Sequence, residues 1–129
     1  MRILHTMIRV GDLDRSLAFY TEVLGMQLLR RSDYPEGRFT LAFVGYQPES
    51  EGAVLELTHN WDPEELGGAR NFGHVAYAVE DIYATCERLQ SHGVTILRPP
   101  RDGRMAFVRS PDGISIELLQ DGHLPSQEP

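Results

Sequence analysis

The chain has 129 residues, room for one ordinary domain that buries roughly two thirds of the surface its unfolded chain would expose. Its 12 basic and 19 acidic side chains give a net charge of −7, the wrong sign for a partner of nucleic acid or of an anionic membrane surface. The single cysteine, Cys86, cannot form an intrachain disulfide, the start MRILHTMIRV lacks a signal peptide's apolar core and cleavage site, and no apolar run nears the ~20 residues that span a bilayer, so the expected compartment is the cytoplasm.

The first strand is expected at 3–10, where Leu4, Thr6, Ile8 and Val10 alternate with His5, Met7 and Arg9. His5 and Arg9 therefore share the face opposite the core. Asp12 is placed to cap a helix in which Leu13, Leu17, Phe19, Tyr20, Val23 and Leu24 recur at helical spacing, and Gly25 supplies the stop. Strands follow near 27–31, 39–45 and 53–59, so the first half reads β-α-β-β-β.

The second half repeats that order: a strand at 74–79, a helix over 81–92 closed by Gly93, and strands near 94–98, 104–109 and 114–119. Setting His5 over His74 puts Val10 over Val79, Asp12 over Asp81 and Leu13 over Ile82, while LAFV at 41–44 echoes MAFV at 105–108. The pattern predicts an α+β protein made of two duplicated βαβββ modules, at about 1–66 and 71–120, with Gly67 and Gly68 in the connection. The tail GHLPSQEP, within residues 121–129, has the composition of a disordered end.

In each module a histidine stands on the first strand (His5, His74) and a glutamate interrupts the apolar last one, as Leu55-Glu56-Leu57 and Ile116-Glu117-Leu118. Alternation turns each glutamate away from the helix-packed side of its sheet. Two imidazoles and two carboxylates make an N₂O₂ donor set that suits Zn²⁺, Ni²⁺, Co²⁺ or Mn²⁺. A strand glutamate alone is usually solvated and a single histidine usually structural; recurrence at equivalent repeat positions is what makes a ligand set of these four. His59, His92 and His123 have no such partners and read as structural or surface groups. Phe19, Tyr20, Phe39, Phe43 and Phe107 fall at core periodicities, and Phe72 and Met105 read as packing residues.

The stretches MRILHTMIRVGDLDRSLAFYTEVLGM, LAFVGYQPE, VLELTHNWD, RNFGHVAYAVEDI and FVRSPDGISIELL resemble the glyoxalase I family of the vicinal-oxygen-chelate superfamily, over about residues 1–120. The resemblance implies cupped mixed sheets and a homodimer with its sites at the interface, each built from His5 and Glu56 of one chain and His74 and Glu117 of the other. It implies His5, Glu56, His74 and Glu117 as metal ligands, with Glu117 the general base and Glu56 the opposite ligand and a second candidate base. The cation implied is Ni²⁺ or Co²⁺, as in the family's short bacterial members, with Zn²⁺ also compatible. The substrate implied is the hemithioacetal of methylglyoxal and glutathione, isomerised by moving a proton between adjacent carbons. Arg9 and Asn60 match positions that hold the γ-glutamyl end of glutathione, and Arg70 matches an arginine that some members use for the glycyl carboxylate. The segment RPPRDGRMAFV is a few residues shorter than the family's usual loop, which leaves the thiol open, and Arg98, Arg101 and Arg104 within it stay outside the predicted site. Other reactions of the superfamily, acyl-thioester epimerisation or thiol transfer, and a metal-free binding module of the same fold remain the alternatives.

Overall fold

The computed structural model describes residues 1–109 and 113–127. Its contacts divide the chain into two units, His5–Gly73 and His74–Pro129 with Met1–Leu4. Both follow the strand, helix, three-strand order expected for this α+β fold.

In the first unit, β1 (Arg2–Arg9) lies parallel to β4 (Val54–Asn60), and β3 (Phe39–Gly45) runs antiparallel between β4 and β2 (Gln27–Tyr34). The helix α1 (Leu13–Ala18) begins at Asp12, whose carboxylate accepts the Arg15 N–H at 3.1 Å. Its apolar side packs on one face of the sheet, where Val10, Leu13, Ala42, Val44 and Leu57 form a buried core ringed by Ile8, Leu17, Tyr20 and Leu55. The predicted helix differs past Ala18: Phe19–Val23 widens into a π-helical turn before Gly25, at φ 76°, ends it. Widening shifts the periodicity, so Phe19 and Val23 face solvent instead of the core the spacing assigned them.

The second unit repeats the plan. β5 (Phe72–Val79) lies parallel to β8 (Ser115–Gln120), with β7 (Met105–Arg109) antiparallel between β8 and β6 (Ile96–Arg98). Asp81 caps α2 (Ile82–Ser91) through the Ala84 N–H, also at 3.1 Å, and Val79, Ile82, Cys86, Ala106 and Leu118 make the core beneath it. The β6 strand is shorter than expected, because Gly93 at φ 82° and the turn after it delay the extended backbone until Ile96.

The described part of the tail, through residue 127, makes specific contacts with the second unit. Leu124 packs against the second core, Tyr83 donates to the Pro125 carbonyl at 2.7 Å, and the Gln127 N–H and Ser126 hydroxyl both donate to the Arg101 carbonyl. Gly103, at φ 71°, lets this backbone come close: a Cβ there would lie 3.0 Å from the Pro125 carbonyl oxygen and closer still to that of Leu124. Gly103→Ala therefore adds left-handed strain of about 1–2 kcal/mol and pushes the tail off its seat. Urea unfolding should show the lower stability, and limited proteolysis should clip the tail first; an unshifted midpoint would mean the tail is not held this way.

Candidate metal and substrate site

The parallel pairing inside each unit brings a histidine and a glutamate from opposite ends of the module together. In the first unit Met7 is the register partner of Glu56, so His5, two residues earlier on the same face, reaches the carboxylate diagonally: His5 Nε2 lies 3.0 Å from Glu56 Oε2. In the second, Ala76 is the partner of Glu117, and His74 Nε2 lies 3.2 Å from Glu117 Oε1. The side chains are only 8% and 10% exposed in the first pair and 13% each in the second, far less than carboxylates on a solvated strand.

Each pair has an aromatic wall that the sequence reading assigned elsewhere. Phe43 is the β3 register partner of Glu56 and stands edge-on to the His5 ring, centroids 5.6 Å apart. Phe107 is the β7 partner of Glu117 and stands edge-on to His74 at 5.8 Å. Both fall at core periodicities in the sequence, yet Ala42 and Val44, Ala106 and Val108 flank them on the opposite face. The signal that could have found them was the repeated AFV triplet. Arg30 was also missed: its guanidinium lies 3.6 Å over the Phe43 ring and is held by both oxygens of Glu49 at 2.7 and 3.0 Å. The Glu49 hydrogen bond raises the Arg30 pKa, with Glu56 adding to the same effect.

These donors fit a divalent cation. Two ligand atoms each about 2.1 Å from one ion and at right angles to it are about 3.0 Å apart, and the observed Nε2–carboxylate separations are 3.0 and 3.2 Å. Neutral imidazole and carboxylate are acceptable to Ni²⁺, Co²⁺ and Zn²⁺ alike, so the donor chemistry by itself does not choose among them.

Further along the same strand face of the first unit stands a charged cluster. Arg9 and Asn60 lie four residues beyond His5 and Glu56, a distance of about 13 Å at strand rise. The Arg9 guanidinium donates through one nitrogen to the carbonyls of Arg70 and Phe72, at 3.0 and 2.8 Å. Asn60 Nδ2 donates to Glu64 Oε2 at 2.7 Å, and Arg70 Nε donates to Glu64 Oε1 at 2.8 Å, with the Arg70 terminal nitrogen 2.7 Å from the same oxygen. Glu64, absent from the predicted site, thus ties two predicted residues together. Asn60 and then Arg70 hold its carboxyl below the usual range, while burial, followed by the Arg70 charge, lowers the Arg9 pKa.

The short loop in the second unit is knitted by Asp102, which accepts the Arg104 and Met105 N–H groups at 2.9 and 3.2 Å and lies 3.5 Å from Arg98. Arg98 spends its other contact on Met105 Sδ.

Residues 2–118 match the model of the Glyoxalase/Bleomycin resistance protein/Dioxygenase superfamily. A probable lactoylglutathione lyase of Synechocystis is 55% identical over 93% of this chain and 95% of its own length, and a lactoylglutathione lyase of Neisseria meningitidis is 55% identical over 93% and 91%. Among solved structures, the trypanothione-dependent glyoxalase I of Leishmania major is 50% identical, covers 93% of this chain and 86% of that one, and has a TM-score of 0.52.

A bound cation stabilises the folded state by about 2.7 kcal/mol at a free concentration of 100 Kd. Stripping the protein with a chelator should therefore lower its melting temperature, and restoring Ni²⁺ or Co²⁺ should recover it. Glu56→Ala and His74→Ala should each weaken binding at least tenfold in equilibrium dialysis; parent-like affinity in both would remove the ligand assignment.

Proposed function

The chain belongs to the Glyoxalase/Bleomycin resistance protein/Dioxygenase superfamily, and on that premise we propose that it isomerises the hemithioacetal of methylglyoxal and glutathione to S-lactoylglutathione, as a lactoylglutathione lyase. The near-full-length identity to lactoylglutathione lyases carries this reading. Family membership brings a divalent metal with it, and His5, Glu56, His74 and Glu117 are the residues that hold it, with Ni²⁺ or Co²⁺ the preferred ions. When bound, the cation supplies Lewis acidity to the two neighbouring substrate oxygens.

Glu117 is the base. Its carboxylate takes the proton from C1, the carbon that bears sulfur and hydroxyl, and returns it to C2, the former ketone carbon. The hydroxyl proton on the first oxygen ends on the second, so the product has the same atoms as the substrate and no oxidant or reductant enters. Low exposure of Glu117, 13% for its side chain, supports this role, because removing water from a carboxylate strengthens it as a base. Phe43 and Phe107 keep the histidine rings in place and exclude water beside the glutamates. Glu56 is the ligand opposite.

Arg9 and Asn60 hold the γ-glutamyl end, and Arg70 the glycyl carboxylate. The span of about 13 Å along the strand between these residues and the His–Glu pair suits an extended arm of the tripeptide with its reacting carbons beyond the sulfur. We read the protein as a homodimer whose sites combine His5 and Glu56 of one chain with His74 and Glu117 of the other, and the exposed apolar side chains Phe19, Val23 and Leu24 favour association of some kind. Residues 1–120 are read as one duplicated domain with modules at about 1–66 and 71–120. No helix among the described residues is long and apolar enough to cross a membrane, and the cytoplasm, which keeps thiols reduced, is the compartment that suits a thiol substrate.

Three measurements test this. Turnover with methylglyoxal and glutathione should appear on reconstitution with Ni²⁺ or Co²⁺; no turnover with any divalent ion would end the proposal. Glu117→Gln should abolish kcat even when fully metallated, since an amide oxygen is too weak a base, while Glu56→Gln should retain more turnover; near-parent kcat in metallated Glu117→Gln would exclude Glu117 as the base. Arg9→Ala and Asn60→Ala should raise KM about ten- to a hundredfold, the loss of one charge-assisted contact, with a smaller change in kcat. Unchanged KM in both would remove glutathione from this end of the site.

A further inference from the structure

Glu64 sits where an anion-binding cluster would be expected to hold only cations and amides. Arg70 is paired with it, Nε donating to Oε1, while half of the Arg70 side chain stays exposed. Asn60 spends its Nδ2 on Glu64 Oε2, which fixes the orientation of the amide and keeps its Oδ1 as an acceptor on the same side chain. Arg9 differs: its partners are the main-chain carbonyls of Arg70 and Phe72, and among the described residues it forms no ion pair. Two arginines against one glutamate leave one net positive charge in the cluster. A carboxylate with two oxygens has about four acceptor positions; Asn60 and Arg70 each donate one hydrogen bond, to Oε2 and Oε1 respectively, which leaves room on Oε2 for a further donor. The Glu64 side chain is 19% exposed and so reachable from solvent.

We propose that Glu64 is the ammonium-binding residue of the site, so that the cluster selects a zwitterionic α-amino-acid end, with the carboxylate on Arg9 and the ammonium between Glu64 Oε2 and Asn60 Oδ1. This rests on the reading above that the γ-glutamyl end of the thiol lies here. A site that only gripped a carboxylate would gain nothing from a part-exposed glutamate beside its arginines, and would lose affinity through like-charge repulsion. With an ammonium bound, the same glutamate becomes a selective element: a thiol with no free amino group would leave it facing the carboxylate without compensation.

The test is calorimetric binding to the metal-loaded protein of S-methylglutathione and of its glutaryl analogue, in which hydrogen replaces the ammonium and the α-carboxylate is kept. The parent protein should bind S-methylglutathione at least tenfold more tightly than the analogue, as the loss of one charge-assisted contact implies. Glu64→Gln should erase that preference, weakening S-methylglutathione about tenfold while leaving the analogue within about twofold, and Glu64→Asp, which keeps the charge, should retain most of it. A parent without preference, or a Glu64→Gln variant that weakens both ligands by one factor, overturns the proposal and leaves Glu64 as a brace for Asn60 and Arg70. Arg9→Ala reports on the underlying reading separately: it should weaken both ligands alike, because both carry the α-carboxylate, and if it changes neither, the γ-glutamyl end lies elsewhere.

Discussion

The parallel pairing of the first and last strand of each βαβββ module is the constraint on which the rest depends. A histidine and a glutamate some fifty or forty residues apart meet only because β1 lies beside β4, and β5 beside β8, in a register that sets Met7 against Glu56 and Ala76 against Glu117. Parallel neighbours need a long crossover, and the helix and antiparallel hairpin between them provide it. A slip of one residue in either pairing would turn the glutamate into the helix-packed core beside Leu57 or Leu118, where an unpaired carboxylate would be strongly unfavourable. The Asp12 and Asp81 caps matter for the same reason, since they fix where each crossover begins.

With the register set, the strand face of the first unit separates two tasks by distance alone. The buried His5–Glu56 pair, walled by Phe43, has donors that fit a cation, and the solvent-accessible cluster further along carries charge. The 61–70 segment belongs to this second task. Trp61 ties its start to Thr40 through the indole N–H at 2.9 Å, and Asn71 ties its end to the Arg9 carbonyl at 3.0 Å. Between those anchors the backbone brings Glu64 and Arg70 to Asn60, so a loop does what the strands cannot: it adds charges to the rim without interrupting the ladder.

The strand and helix order was legible because the hydrophobic periods are clean and repeat, and the four candidate ligands were legible because each histidine and each glutamate recurs at the same step of the repeat. Other residues were hidden for definite reasons. Phe43 and Phe107 alternate in phase with Leu41 and Met105, and an aromatic on a strand looks the same to a periodicity argument whichever face carries the core. The exposure of Phe19 depends on a π-helical turn, which the spacing of apolar residues does not announce. Glu64 lies in an acidic run, DPEE, that reads as a solvated connection; only the folded loop shows that its carboxylate is enclosed by Asn60 and Arg70. The close approach of the tail at Leu124 and Pro125 likewise hangs on Gly103, more than twenty residues away in sequence.

Cys86 lies 5% exposed in the core beneath α2, where burial raises its thiol pKa. An enzyme of dicarbonyl adducts works among electrophiles that combine with thiolates, and the free thiol it meets is in reversible exchange with its own substrate. A surface cysteine would be a competing nucleophile, open to addition by the aldehyde and to gradual loss of protein. Enclosed among Val79, Ile82 and Leu118 and held in its protonated form, this sulfur is a packing group, and the protein is protected against alkylation at sulfur by the same apolar layer that holds its helix to the sheet.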